Sequence, residues 1–455
     1  MHSTFFKTLK GALIFGLLLP VFGQQSVSHP LTSYGIGDYQ LNDHGIYSSM
    51  GNVHVPFIDS SHLNFLNPAT YSALSKGNTL FSLGVNQRTS FLSQGNERMV
   101  RSTGNLNHLV LGFKLKQRMG MALGITPYAA KGYSLSEKIF TGVDSLLNSY
   151  EGSGYINRVF LGYSYAPIQT KNTLMSLGAQ AGYLFGGVRD QRSSQLIQGT
   201  TASGGLYQED LQISAINAEF GLAFSQKIGS RYELKFGGTF APKMKVAGDL
   251  QSVFYSASNL NLPSSYDTLN SQQFSGHVVQ GQRIALGIMQ QFYLRERSRK
   301  NKTKHPQLNL ALQYAQQTRN SYHFTGSNYD SLGGIVSNTS LYQIGVEFRP
   351  ERFLYENLAT LGFFDKFCYR IGGYYGQLPY SDAAGNVFRA QAVTFGLGIP
   401  VLSQQSLSSI NFSCIVGQRG TFKTGALHET FISVQLGAVL APAGFERWFR
   451  KRKMD

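Results

Sequence analysis

The feature that most constrains this sequence is an alternation of apolar with polar or glycine residues, which starts near residue 78 and recurs as far as residue 440. Between His108 and Leu115, for example, Leu and Phe occupy every second position. A period of two residues predicts β-strands with one buried face. In the segments 215–224 and 432–438 the second face is mainly Gly, Ala, Ser, Asn and Gln, whereas a water-exposed face is usually richer in Lys, Glu and Thr. This pattern favours a lipid-facing exterior around a narrow lumen.

Fourteen segments alternate in this way, and most have ~10 residues or more, the length that a tilted strand needs to cross a bilayer. Their connections alternate as well: about two residues join the second and third segments and about eighteen join the third and fourth, as in barrels with short periplasmic turns and long extracellular loops. The sequence therefore predicts an all-β fold, a 14-stranded antiparallel transmembrane β-barrel over residues 78–440. The predicted strands are 78–92, 105–116, 119–135, 154–166, 173–187, 211–227, 231–247, 274–294, 306–319, 340–349, 367–377, 389–400, 408–418 and 429–440.

The ends of the chain carry other signals. Lys7 and Lys10 precede a short apolar run that ends before Gly23, which is typical of a cleavable secretory signal over residues 1–23. Residues 24–77 do not alternate and cannot span lipid, because their backbone groups would be unpaired there. A barrel of fourteen strands has a lumen too wide for side chains alone to fill, so we expect residues 24–77 to form an N-terminal hatch or plug. Residues 441–455 form a basic tail, predicted to be periplasmic.

Composition and motifs argue against other classes of protein. After the signal no run of 18 apolar residues exists, which excludes a bundle of transmembrane helices. Charged residues make up 14% of the chain, against about 25% in an average soluble domain. No nucleophile elbow or His-Glu-x-x-His motif is present, so we predict no enzyme activity and no cofactor. His44, His54 and His62 have no metal-ligand spacing, and Cys368 and Cys414 are predicted to be unpaired side chains within strands.

Charge is distributed unevenly. The formal net charge is +16, and Lys and Arg are concentrated at the predicted short-turn rim and in the tail. No helix or aromatic platform organises these charges, so contact with anionic outer-membrane lipids is a better explanation than binding of nucleic acid. Lipids and lipopolysaccharide of a Gram-negative outer membrane are therefore the expected surroundings, and docking of an acidic periplasmic protein is the alternative. The one long connection on this side, 350–366, is predicted to form an amphipathic interfacial helix.

The order of signal, plug and fourteen strands resembles the FadL family of outer-membrane transporters for hydrophobic compounds. The plug contains Asn67-Pro68-Ala69, and the end of the chain, from Gly417 and from Trp448, resembles FadL-like barrels of Bacteroidetes. The resemblance implies hatch-gated passive transport of small hydrophobic molecules such as long-chain fatty acids. It also implies a lateral exit at a kink in the third strand, where this sequence has Pro127. Pro lacks a donor for the strand ladder, so either a lateral gap or a simple bulge is expected there.

Two questions stay open at this stage. Arg158, Glu219, Glu347 and Arg370 fall on inward positions of predicted strands, where they would either form a polar substrate path or brace the plug against the wall, and bracing is the favoured interpretation. The second question is the function, for which passive, hatch-gated transport of small hydrophobic molecules across the outer membrane is the prediction and an accessory role is the alternative. Some FadL-like barrels are non-transporting accessory subunits of protein secretion or assembly complexes, such as the type IX system, and the basic tail is compatible with that role. An open pore for polar solutes is a third, weaker option, because a plug argues against it.

Overall fold

A computed structural model of the protein describes residues 30–33, 35–39, 44–75, 79–140, 142, 144–197, 203–294, 303–304, 306–324, 337–350, 352–353, 362–381, 387–400, 408–421 and 427–441. The predicted signal at 1–23 and residues 442–455 of the predicted tail lie outside this set. Fourteen strands form one sheet, three of them in two segments: β1 (Thr79–Gln94), β2 (Glu97–Lys116), β3 (Met119–Phe140), β4 (Ser145–Gln169), β5 (Thr173–Ile197), β6 (Gly204–Ile228), β7 (Tyr232–Ala241 and Met244–Ala257), β8 (Tyr266–Gln280 and Arg283–Tyr293), β9 (Gln307–Gln317 and Ser321–His323), β10 (Thr339–Arg349), β11 (Cys368–Ser381), β12 (Val387–Pro400), β13 (Ser409–Gly420) and β14 (His428–Leu440).

The sheet closes on itself. Each strand is antiparallel to its neighbours in sequence, and β14 pairs with β1 from Leu440 opposite Phe81 to His428 opposite Ser93. Closure leaves no free sheet edge, which is the condition for a sheet to span lipid. In the lipid-facing part of the strands the outward side chains are apolar, as in β12, where Val393, Phe395 and Leu397 are exposed. The prediction of a closed 14-stranded antiparallel barrel is confirmed.

The strands are longer on one side than the sequence predicts. Residues 136–140 and 145–153, which the sequence assigns to a long loop, continue β3 and β4, and β4, β5 and β6 each have 25 residues. Lipid covers only ~9–11 residues of a strand. Beyond that belt neither face has to be apolar, so the alternation fades while the backbone pairing continues. The loop assignment at these positions was wrong for this reason.

The short-turn end, where Lys116 is joined to Met119, also carries both ends of the barrel, and we refer to it as the periplasmic end. There Thr303–Lys304 pairs with Arg352–Phe353, and a 3-10 turn forms at Phe364–Lys366. The predicted amphipathic helix over 350–366 is not found in the described part of this connection, and residues 354–361 lie outside it. No helix of the described residues is long and apolar enough to cross a membrane.

The N-terminal segment lies inside the barrel, and we call its described residues within 30–75 the plug. It consists of a 3-10 turn (Pro30–Ser33), a two-residue strand (Asp38–Tyr39) that pairs with β3, helix α1 (Gly45–Ser48) and a 3-10 helix (Pro68–Ala73). Side chains of α1 and of the 3-10 helix at 68–73 are almost all buried. A further 3-10 turn, Pro263–Ser265, precedes β8.

Candidate functional site: the plugged lumen and the split between β2 and β3

A belt of glycines receives the plug. At each of these positions the wall glycine lies so close to the plug that an added Cβ would come within 3.0 Å of a plug atom. At Gly178, for example, the Cβ would lie 2.3 Å from the carbonyl carbon of Pro68. Because the belt runs around most of the barrel, the plug is fitted to the wall on nearly every side. The belt consists of Gly112, Gly120, Gly162, Gly178, Gly221, Gly237, Gly287, Gly345, Gly372 and Gly396.

The Asn67-Pro68-Ala69 sequence is the N-terminus of the last plug helix. The Asn67 side chain accepts a hydrogen bond from Ala69 N at 3.1 Å, which caps the helix, and Pro68 occupies the first helical position, where its missing N–H costs nothing. Asn67 Nδ2 also donates to Val55 O at 2.8 Å and to Leu222 O on β6 at 3.2 Å. One side chain thus terminates a helix, joins two parts of the plug and bonds to the wall.

Charged side chains at the periplasmic half of the lumen form a chain from plug to wall. Arg349 Nη2 on β10 donates to Asp59 Oδ2 in the plug at 3.1 Å, and Arg349 Nε donates to Glu347 at 2.8 Å. Glu347, which is fully buried, also accepts from Arg370 Nε at 2.8 Å and from Asn309 at 2.7 Å. Buried ions are tolerated only when they are paired and hydrogen-bonded. This network meets that condition and reaches the plug through Arg349.

The second predicted pair lies within the wall. Glu219 on β6 accepts from Arg158 Nη1 on β4 at 3.3 Å and from Arg283 Nη2 on β8 at 2.9 Å. Arg158 Nε donates further to Asn217. The pairs Arg158–Glu219 and Glu347–Arg370 therefore join strands to one another, and direct plug contacts come from other residues.

Those other residues bind the plug backbone. Gln313 Oε1 on β9 accepts from both His54 N and Val55 N, at 2.9 and 2.8 Å. Plug carbonyls accept from Lys235 on β7 and from Gln343 on β10, both at 2.9 Å. Such bonds satisfy polar groups that would otherwise be buried without partners. Sequence reasoning missed these residues, although a charged or amide side chain at an inward position of a predicted strand was the signal available.

Toward the extracellular side of the plug, the lumen is filled by apolar side chains. The packed group comprises Ile36, Tyr128, Ala129, Ile156, Leu184, Val188, Leu211, Ile213, Val246, Leu250, Val278, Tyr322 and Phe324. Within it, the cavity lined by Tyr39, Tyr128, Ile213 and their neighbours has a volume of about 10 Å³. A cavity of ~150 Å³ is needed to hold benzene. The apolar space beside Pro127 therefore has no room for a ligand in this conformation.

The seam between β2 and β3 splits at the height of this cluster. Backbone pairing runs from Lys116 opposite Met119 to Leu109 opposite Ile125 and, in the described residues, goes no further. Beyond Pro127 there is a bulge, and β3 bends into the lumen, where Ala129 and Ala130 pair with the plug strand Asp38–Tyr39. β2 continues toward the extracellular end of the barrel, and there it is paired only with β1. The bulge expected from the sequence is thus present at Pro127, and the described backbone pairing of β2 with β3 ends beside it. The lateral exit implied by the family resemblance stays a prediction.

The three plug histidines each bond to different partners. His54 Nδ1 is 2.9 Å from Asn52 O, and His62 bonds to Asp59 and to Ser409. His44 caps α1 through Nδ1, which accepts from Ile46 N. No group of three metal-ligand side chains is found in the described part of the chain. Cys368 and Cys414 are not joined in a disulfide.

Comparison with solved structures finds outer-membrane barrels of similar architecture. The TodX deltaS2S3 mutant, a monoaromatic hydrocarbon channel, is similar with a TM-score of 0.52 and 14% identity over 88% of this chain and 98% of that chain, and TodX itself is from Pseudomonas putida. A FadL homologue of Pseudomonas aeruginosa is similar with a TM-score of 0.50 and 12% identity over 88% of this chain and 96% of that chain. At such identities the likeness shows a shared FadL-like outer-membrane barrel fold.

A search of the curated proteins finds no match. The family model BamG matches residues 6–455, which is nearly the whole sequence. The chain is therefore a member of the BamG family with a plugged, FadL-like outer-membrane β-barrel fold.

Proposed function

We propose that this protein is a non-transporting accessory barrel of a protein-assembly complex in the Gram-negative outer membrane. The observation that carries the proposal is the filled extracellular part of the lumen: the cavity in the apolar cluster measures about 10 Å³, against ~300–1,000 Å³ for a ligand pocket. The larger lumenal space, about 550 Å³, lies in the periplasmic half, where Asp59, Arg349 and Arg370 line it. The glycine belt supports it, since a plug fitted to the wall on nearly every side resists displacement. Membership of the BamG family favours association with an assembly complex.

An accessory barrel needs a surface that a partner can bind outside the lipid belt. The tips of the first two hairpins carry such a surface, which we call the tip patch. Val100 and Phe140 are exposed by 61% and 71%, and Phe140 lies 21 residues along β3 from the periplasmic turn, well past the ~9–11 residues that lipid covers. Exposed apolar groups in water favour association. The patch consists of Phe91 and Val100, which lie opposite each other in the first hairpin, and Phe140 at the tip of the second.

The test is a pull-down of the tagged full chain in mild detergent, with mass spectrometry of both proteins and lipids. We expect a stoichiometric outer-membrane assembly subunit, which the Val100→Ser/Phe140→Ser double variant loses. Gln251→Ser, at an exposed site on the same extracellular extension, is the matched control and keeps the partner. Recovery of bound apolar small molecules without a protein partner would contradict the proposal.

A second candidate is passive transport of small hydrophobic molecules such as long-chain fatty acids, favoured by the split seam at Pro127. Transport would require the apolar cluster to open and release its cargo sideways between β2 and β3. Accumulation of a labelled fatty acid by cells that carry the wild-type chain, and its loss when Asn105→Cys and Tyr155→Cys are cross-linked across the gap, would favour this candidate. In the wild-type chain the Tyr155 hydroxyl donates to Asn105 at 3.4 Å, so a bifunctional thiol reagent that replaces the length of the tyrosine side chain is used to join the two cysteines.

A further inference from the structure

The outer surface of β9–β14 changes from apolar to polar near its extracellular end. One row of outward residues crosses these strands, and each lies opposite the next in the backbone register: Tyr314, Tyr342, Tyr375, Gln391, Gln418 and Thr430. Three tyrosines followed by two amides and a hydroxyl mark the boundary between lipid and water, where amphipathic side chains concentrate. The outward side chains just to the periplasmic side of this row therefore face the outer leaflet.

A groove opens below this row because one strand lacks a side chain. Gly373 on β11 lies between Ile344 on β10 and Val393 on β12 in the same register. The resulting depression has a volume of about 640 Å³, and its outward lining includes Leu312, Val416 and Tyr375 besides these three. A linear hydrocarbon chain fits a smooth apolar trough between larger side chains, where it gains contacts that a flat wall cannot give.

The polar end of the groove carries a positive charge. Arg389 is exposed on β12 in the row above Gln391, and its Nη1 donates to the hydroxyl of Tyr375 at 3.0 Å, which holds the guanidinium over the groove. Gln391 Nε2 donates to Gln418 Oε1 at 3.3 Å alongside it. No outward carboxylate lies on the described parts of β9–β14. Arginine presents a planar fork of donors that matches phosphate oxygens.

We propose that this groove binds the phosphorylated acyl lipid of the outer leaflet, lipid A of lipopolysaccharide. One acyl chain lies over Gly373, and a phosphate is held by Arg389 with the two glutamine amides. The inference depends on the outer-membrane location and the inside–outside orientation of the barrel. It is independent of whether the protein serves an assembly complex or a transport pathway.

The experiment compares retained lipid after the full chain is washed in detergent and analysed by native mass spectrometry. The wild type is expected to keep one lipid A molecule, and Gly373→Leu, which fills the trough, to retain about tenfold less. Val393→Phe fills the same space from the next strand and should behave alike if Gly373→Leu impairs folding. Arg389→Gln should retain about threefold to tenfold less, because the charge-assisted bonds to phosphate are lost.

Gly238→Leu is the matched control. Gly238 also faces outward, on β7, and its added Cβ would make only ordinary contacts, the nearest at 3.4 Å to Leu286, so retention should equal that of the wild type. Rebinding assays with lipid A, phosphatidylglycerol and inorganic phosphate separate the sources of the recognised chemistry. Equal retention by the wild type and both filling variants would overturn the proposal, as would equal binding of phosphatidylglycerol or of phosphate alone.

Discussion

Asp59 of the plug and Arg349 of β10 connect the plug to the barrel wall, with Arg349 Nη2 donating to Asp59 Oδ2 at 3.1 Å. The same guanidinium donates through Nε to the buried Glu347, which in turn accepts from Arg370. A single arginine therefore links the plug to the ion pairs that join the strands. The loop of the plug around Asp59 should depend on this side chain.

Replacing Arg349 with Met should release the periplasmic part of the plug. The substitution leaves Asp59 without its cation and Glu347 with one fewer donor, which we expect to cost about 2–3 kcal/mol. Hydrogen exchange followed by mass spectrometry should show faster exchange over residues 53–62. Arg319→Met, at an exposed site, is the control and should leave that exchange unchanged. Undiminished protection in Arg349→Met would mean that the glycine belt alone holds the plug.

Filling the glycine belt should prevent the plug from docking. A Cβ at Gly178 would lie 2.3 Å from backbone atoms of Pro68, and one at Gly221 would lie 2.3 Å from Asn67 Oδ1. Overpacking of this kind costs about 1–3 kcal/mol or more. The backbone of Pro68 cannot move aside as the end of a flexible side chain could. Gly178→Val should therefore lower the thermal unfolding midpoint in detergent and expose the plug to protease. The outward Gly238→Val should do neither, and a normal midpoint in Gly178→Val would refute tight docking.

Acid should loosen the plug in two steps. Burial lowers the pKa of His54 to about 4, below its ordinary 6.5. Between these pH values the unfolded chain binds a proton at His54 that the folded chain does not, so the stability of the folded state falls as pH drops from about 6.5 to 4. Burial alone would raise the pKa of Asp59, but Arg349 and His62 hold it well below 3.8, so its contribution is lost only at still lower pH. Plug exchange measured against pH should show both steps, and His54→Gln should reduce the first, to which His44 also contributes because burial lowers its pKa well below 6.5.

Removing Glu219 should weaken the wall beside the plug. Glu219→Ala leaves Arg158 and Arg283 facing each other without their shared carboxylate, a loss of about 3 kcal/mol for a buried pair. Because Gly221 on the same strand contacts Asn67, a shift of β6 should loosen the plug and raise uptake of large antibiotics. Susceptibility of cells carrying Glu219→Ala is the measurement. Unchanged permeability with full expression would count against a bracing role.

The strands differ in how well the sequence predicts them. The alternation in β12 or β14 identifies strand, face and position, because lipid demands an apolar side chain at every second residue. It fails over 136–140 and 145–153, where water surrounds both faces and backbone pairing alone extends the hairpin. Pro127 was visible as a break in β3, but the inward bend and the pairing of Ala130 with Asp38 depend on the plug.

The sequence by itself determined the class of fold, the number of strands and which side chains face lipid. It also showed that one segment, ahead of the strands, cannot lie in the lipid. These properties follow from local periodicity and from the requirement that every backbone group in lipid be paired. Only the tertiary structure decided how the plug is held, through Gly178, Arg349 and Gln313, and how little space remains beside Tyr128. Those contacts join residues hundreds of positions apart, so no local pattern encodes them, and the closed barrel alone brings them together.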